Sequence, residues 1–145
     1  GAADPFGMTE TYVPARGIRQ MISGTPPILG LQPISDMVDL IEEAGIDAIR
    51  EKSIALTEFA AEFADAHLAH YGVRVISPRD PAIRGGHVTL DHPAFKEIVA
   101  ALWERGIIPD FRPPQGIRIG LSPLSTSFAE LAEGLLAIAE CLEER

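Results

Sequence analysis

Cysteine, lysine and aromatic residues are scarce in this chain. The single Cys141 excludes an internal disulfide, which fits a reducing, cytoplasmic setting. Lysine occurs only at Lys52 and Lys96, so any chemistry needing a lysine amine has two candidates. Positive charge is short: 12 Lys and Arg face 21 Asp and Glu, for a net charge of −9. That balance argues against nucleic acid as a partner, because duplex binding rests on basic patches. It leaves room for a small anionic ligand, since one local site can oppose the net charge. No run of about 18 apolar residues is present, so no membrane-spanning helix is expected. No basic stretch followed by an apolar one opens the chain, so no export signal is expected. There is no Walker loop, no dinucleotide fingerprint, no internal repeat and no low-complexity run. What remains is 145 residues, 46% hydrophobic, enough for one globular domain with a real core.

Residues 1 to about 23 hold Gly1, Pro5, Gly7, Pro14 and Gly17 with no sustained period, and read as an extended or looping segment. From Pro27 to Ala44, Ile34, Met37, Val38 and Ile41 recur at helical spacing, with Pro33 expected to kink or divide the helix and Gly45 to end it. Asp47 is placed to cap a longer helix reaching roughly Tyr71, with Ile49, Ser53, Leu56, Ala60 and Phe63 as its inner stripe and Gly72 as its stop. Val73–Ile76 and His87–Leu90 alternate like short strands. His92-Pro93 opens a helix with Phe95, Ile98, Val99 and Leu102 on one face and Gly106 at its end. Ile107 and Ile108 read as a strand, and Asp110 to Pro114 as a loop. Gly116–Leu121 reads as a strand with Ile117, Ile119 and Leu121 on one side and Arg118 and Gly120 on the other. Ser127 and Glu130 have capping-box spacing before a last helix that turns Leu131, Leu135, Ile138 and Leu142 inward. Short strands with covering helices make an α+β layer sandwich, and the first 45 or so residues look like part of something else.

Two places suit an anion. Gly24-Thr25-Pro26-Pro27 reads as a helix start, with Thr25 as N-cap, Pro26 at the first helical position and Gly24 leaving the backbone approachable. Helix N-termini favour phosphate or carboxylate; the plain alternative is an ordinary capped helix. Arg118 is a permanent cation on a strand face it shares with Gly120, whose missing side chain leaves room for a ligand. Its planar fork suits a carboxylate, and the plain alternative is a surface or interdomain ion pair. Arg84, beside two glycines, supports an anion in the same weaker way. His67 and His70 sit at i, i+3 without an evident third ligand, so no metal site is expected. His87, His92, Ser23, Ser122 and Ser125 have no recognisable catalytic context, and Cys141 reads as packing.

Several stretches resemble the kynureninases. Gly17-Ile18-Arg19-Gln20-Met21-Ile22-Ser23-Gly24-Thr25-Pro26-Pro27-Ile28-Leu29 is similar to the segment that follows their cofactor lysine. Arg50 to Thr57 resembles their long helix, and Arg84 to Val88, Arg105 to Pro113 and Gly116 to Gly120 complete the order. The resemblance covers essentially the whole chain, but only the C-terminal third of a family member. It implies aminotransferase class V, the fold-type I pyridoxal-phosphate enzymes. Residues 1–45 would be the trailing segment of the large cofactor-binding domain. Residues 46–145 would be the small C-terminal domain of that transferase fold, an α+β / α/β unit whose short, mostly antiparallel sheet is covered by helices and preceded by a long interdomain helix. The implied activity is pyridoxal 5'-phosphate-dependent hydrolysis of kynurenine or 3-hydroxykynurenine, in tryptophan catabolism, by a cytoplasmic homodimer. The products would be anthranilate or 3-hydroxyanthranilate, and alanine. Thr25, with Gly24, matches the position that contacts the cofactor phosphate, and Arg118 matches the arginine that holds the substrate α-carboxylate.

Two departures qualify that implication. Neither Lys52 nor Lys96 has the context of the family's Schiff-base lysine, which is expected upstream; the chain alone is then not a catalyst. Ser125 also follows Pro123-Leu124 where the family often has Tyr, which bears on the substrate. The alternatives are another class V enzyme, of cysteine desulfurase or epimerase type, and a non-catalytic interaction domain.

Overall fold

Consecutive prolines set where the first helix begins. The computed structural model describes residues 1–145, which divide into two units, Gly1–Glu43 and Ala44–Arg145. In the first unit the chain doubles back so that Ala2 pairs with Pro14, Ala3 N–H donating to Val13 O at 2.8 Å and Ala15 N–H to Gly1 O at 2.8 Å. A 3-10 turn, Gly17–Met21, follows. Helix α1 then runs Ile28–Ala44. Its first acceptor is the carbonyl of Pro27, which receives Gly30 N–H at 2.9 Å and Leu31 N–H at 3.0 Å. Thr25 is therefore not the N-cap, nor Pro26 the first helical residue, as the sequence suggested. A residue preceding proline is pushed out of the helical region, and both Thr25 and Pro26 precede one. Pro33 lies within α1 without dividing it. No residue of this unit is buried: Ile34, Met37 and Val38 stand exposed and Ile41 half-buried.

In the second unit, α2 spans Ile46–Phe63. Its N-cap is Gly45, at φ 78°, rather than Asp47, which lies in the first turn where an acid suits the helix dipole. The expected run to Tyr71 is continuous but changes geometry, through a π turn at Ala64–Leu68 and a 3-10 turn at Ala69–Tyr71. Gly72, at φ 89°, stops it. Strands β1 (Arg74–Val75), β2 (His87–Asp91), β3 (Asp110–Arg112) and β4 (Gly116–Gly120) form one antiparallel sheet in the order β1-β2-β4-β3. Helix α3 (Phe95–Glu104) lies between β2 and β3 in sequence, and α4 (Phe128–Glu143) follows β4.

Ile107-Ile108 is not a strand, and Asp110–Arg112 is one rather than a loop. The C-terminus of α3 claims Ile107: its N–H donates to Leu102 O at 2.9 Å while Gly106 N–H donates to Trp103 O at 3.0 Å. That pair of bonds, with Gly106 at φ 75°, is a Schellman close. The ladder to β4 begins only at Asp110, opposite Arg118.

Alternation gives the sheet two faces. Val88, Leu90 and Ile117 enter one core with Leu56 and Ala60 of α2, Phe95, Ile98 and Leu102 of α3, and Leu131, Leu135 and Ile138 of α4. Full burial of each large apolar side chain contributes about 1.5–3 kcal/mol. The cross-strand partners His87 and Gly120, Thr89 and Arg118, and Asp110 and Arg118 lie on the other, polar face. No helix is long and apolar enough to cross a membrane.

Candidate functional site

Register builds the site around Arg118. It sits on the central strand β4, flanked by Thr89 of β2 and Asp110 of β3. Residues two apart on a strand share a face, so Gly116 and Gly120 border Arg118 along β4. A Cβ at Gly120 would meet nothing within 4 Å, so the polar face is open at that position. A Cβ at Gly116 would lie 3.1 Å from the Arg112 carbonyl, so the tight β3–β4 connection wants glycine there.

Arg118 Nη2 donates to Asp110 Oδ2 at 2.5 Å. Arg112 Nη2 reaches the same oxygen at 2.6 Å. The remaining N–H groups of Arg118 have no acceptor within the chain, and its side chain is 39% exposed. The ion pair that was the plain alternative for Arg118 thus exists, but it occupies one donor of a fork that has five. At the far end of the same face, Asp91 accepts from Arg74 at 2.5 Å and from Gln115 at 3.0 Å. The Arg74 bond foremost, and Gln115 next, hold the Asp91 carboxyl below the usual carboxylate range, against a burial that pushes it up.

Arg84 is turned inward and is not an anion site. It is almost fully buried, donating from Nε to Thr57 Oγ1 at 3.0 Å and from Nη1 to the carbonyls of Pro78 at 3.2 Å and Arg79 at 2.6 Å. It fastens the 77–86 connection to α2. Its Nη2 is buried without a hydrogen bond, 3.7 Å from Glu58 Oε1. His67 stacks against Phe63 and His70 against Tyr71, at ring separations of 4.6 and 3.8 Å. No group of three or more His, Cys, Asp or Glu stands where it could hold one metal ion. Cys141 is buried in the core. A cavity of about 160 Å³, lined mainly by apolar residues of 107–109, β4 and α4, does not include Arg118.

Gly24 and Thr25 belong to the first unit, where both are exposed; a Cβ at Gly24 would meet nothing within 4 Å and the Thr25 hydroxyl has no hydrogen-bond partner. The helix start itself is at Ile28. Of the two lysines, Lys52 donates to Pro123 O at 2.7 Å and ties α2 to the loop after β4, and Lys96 lies on α3. Asp110 was missed from sequence because Pro113-Pro114 masked its strand. The usable signal was Asp110 and Arg112 two residues apart, leading through a short turn to a second strand bearing Arg118.

The fold has a counterpart among solved structures. A solved structure described as a NIFS-like protein superposes with a TM-score of 0.67 at 18% identity, over 88% of this chain and 37% of that one. Residues 49–138 match the family model for the kynureninase C-terminal domain. Kynureninase of Deinococcus radiodurans is 35% identical over 144 residues, 99% of this chain and 35% of its own. That of Pseudomonas fluorescens is 32% identical over 145 residues, 100% and 35%. That of Geobacillus thermodenitrificans is 34% identical over 140 residues, 97% and 33%. The chain belongs to the kynureninase C-terminal domain family, and so to the class V group that the sequence resemblance implies. It spans about a third of the length of these relatives.

Proposed function

We propose that this chain is the C-terminal part of a kynureninase: a pyridoxal-phosphate enzyme that hydrolyses kynurenine or its 3-hydroxy form to the corresponding anthranilate and alanine, and that works as a homodimer. The observation that carries the reading is Arg118, a half-exposed cation fixed at one corner by Asp110, with its other N–H groups free. A free guanidinium edge grips a carboxylate with paired, charge-assisted hydrogen bonds. Arg118 would bind the substrate α-carboxylate and so set the orientation of the amino acid. Thr25, with its unengaged hydroxyl beside Gly24, would hold the cofactor phosphate. The cofactor, when bound, supplies an electron sink, while the protein orients and shields the reacting groups.

Lys52, engaged with Pro123, and Lys96 on α3 do not suit the role of the lysine that carries the cofactor. That residue would belong to a part of the longer enzyme outside residues 1–145. Gly1–Glu43, which buries no side chain, would likewise be the trailing part of the large domain. A desulfurase would need a reachable thiol, and Cys141 is buried in the core. The test is to supply the longer protein, loaded with pyridoxal phosphate, with L-kynurenine and separately with L-cysteine. The expected result is anthranilate and alanine from the first. Turnover of cysteine alone, or of neither, would sink the proposal.

A further inference from the structure

We propose that Asp110 is the residue that aims Arg118, and that Arg112 keeps this aim from costing Arg118 its charge. The inference rests on the reading of Arg118 as the carboxylate handle and deepens it. An arginine on an open sheet face has many rotamers, and binding through a fixed fork requires that most be surrendered. Asp110 removes that freedom in advance. It lies directly across the ladder from Arg118, and its Oδ2 accepts from Nη2 at 2.5 Å.

A carboxylate devoted to Arg118 alone would also compete with the ligand, because a neutralised guanidinium attracts a second anion weakly. The structure avoids this through Arg112, two residues along β3, which draws on the same Asp110 oxygen at 2.6 Å. Two guanidiniums share one carboxylate, so the trio keeps a positive charge. The side chains of all three are partly exposed, at 39% for Arg118, 50% for Arg112 and 45% for Asp110. The trio adds little to fold stability at that exposure, so its value lies in orientation. The other N–H groups of the half-exposed Arg118 fork stay available to a ligand.

The experiment measures equilibrium affinity of the holoenzyme for L-alanine and for L-alaninamide, which differ only at the carboxylate. The ratio of the two affinities isolates carboxylate recognition from general damage. Asp110→Asn should lower that ratio by about fivefold or more, with the thermal midpoint little changed, as expected when a charge-assisted contact is lost from the far side of the fork. In an Arg118→Ala background the same change should have no further effect on the ratio. Arg112→Gln, which removes only an exposed head, should lower the ratio by about threefold, because Asp110 then neutralises Arg118 alone. If Arg118→Ala lowers the ratio but Asp110→Asn or Arg112→Gln leaves it unchanged, this proposal is overturned and the carboxylate reading stands. If Arg118→Ala itself leaves the ratio unchanged, both fall.

Discussion

Arg84 and Arg118 share a side chain and a glycine-rich neighbourhood in sequence, yet they do opposite work. Arg84 follows a turn that brings the Pro78 and Arg79 carbonyls over its head, and α2 closes the other side with Thr57. Arg118 sits mid-strand with only Asp110 on its head. Sequence could place Arg118 on the face away from Ile117 and Ile119, because strand alternation is local. It could not show Arg84 turning inward, because its partners come from a separate helix and a folded loop. Asp91 makes a residue-scale prediction. Its folded pKa lies below the unfolded one, so its stabilising effect is full above the unfolded value of about 3.9 and is lost as pH falls through the folded value. Arg74 is largely exposed, which limits the size of the effect. Asp91→Asn should lower the thermal midpoint near neutral pH and flatten its decline as pH falls below about 5. A variant whose acid limb matches the parent's would count against Asp91 as a contributor.

At the scale of elements, sequence was most informative where one helix buries one stripe. Phe95, Ile98, Val99 and Leu102 in α3, and Leu131, Leu135, Ile138 and Leu142 in α4, are all buried as their spacing requires. The α4 start was equally legible: Ser127 Oγ accepts from Glu130 N–H at 3.1 Å and Glu130 Oε2 accepts from Ser127 N–H at 2.8 Å. The Ser127 N–H foremost, and the Ser127 hydroxyl donating to the same Oε2 at 2.7 Å, hold the Glu130 carboxyl below its usual range. Ser127→Ala should cost about 1 kcal/mol, read as a lower urea midpoint with an unchanged slope. A midpoint within error of the parent's would show the cap to be idle. The misplaced strand has a different cause. Two adjacent isoleucines satisfied the composition of a strand, but Gly106 committed Ile107 to closing α3. Pro113-Pro114 then disguised the end of β3. Because the strand was hidden, so was Asp110. Thr25 failed as a cap for a comparably local reason, since two prolines in a row delay the helix to Ile28.

At the scale of the molecule, the two units differ in kind. Ala44–Arg145 has a core in which Leu56, Leu90, Phe95, Ile98, Leu102, Ile117 and Leu135 are fully buried. Gly1–Glu43 has no buried residue at all, although α1 carries an apolar stripe. A segment without a core gains little protection of its own. Amide hydrogen exchange on the chain should therefore show α1 exchanging at least about 100-fold faster than α4. Equal protection of the two helices would contradict that. The same contrast explains why sequence separated the first 45 residues from the rest: the helical spacing of α1 is real, but nothing in its own unit covers it. The central claim, that the open guanidinium on the polar sheet face is a carboxylate handle, is tested most directly by the KM for L-kynurenine of the longer enzyme with and without Arg118→Ala. Losing a charge-assisted contact of about 1.5–3 kcal/mol predicts a rise of roughly 10- to 100-fold. A KM unchanged by the substitution would contradict the account.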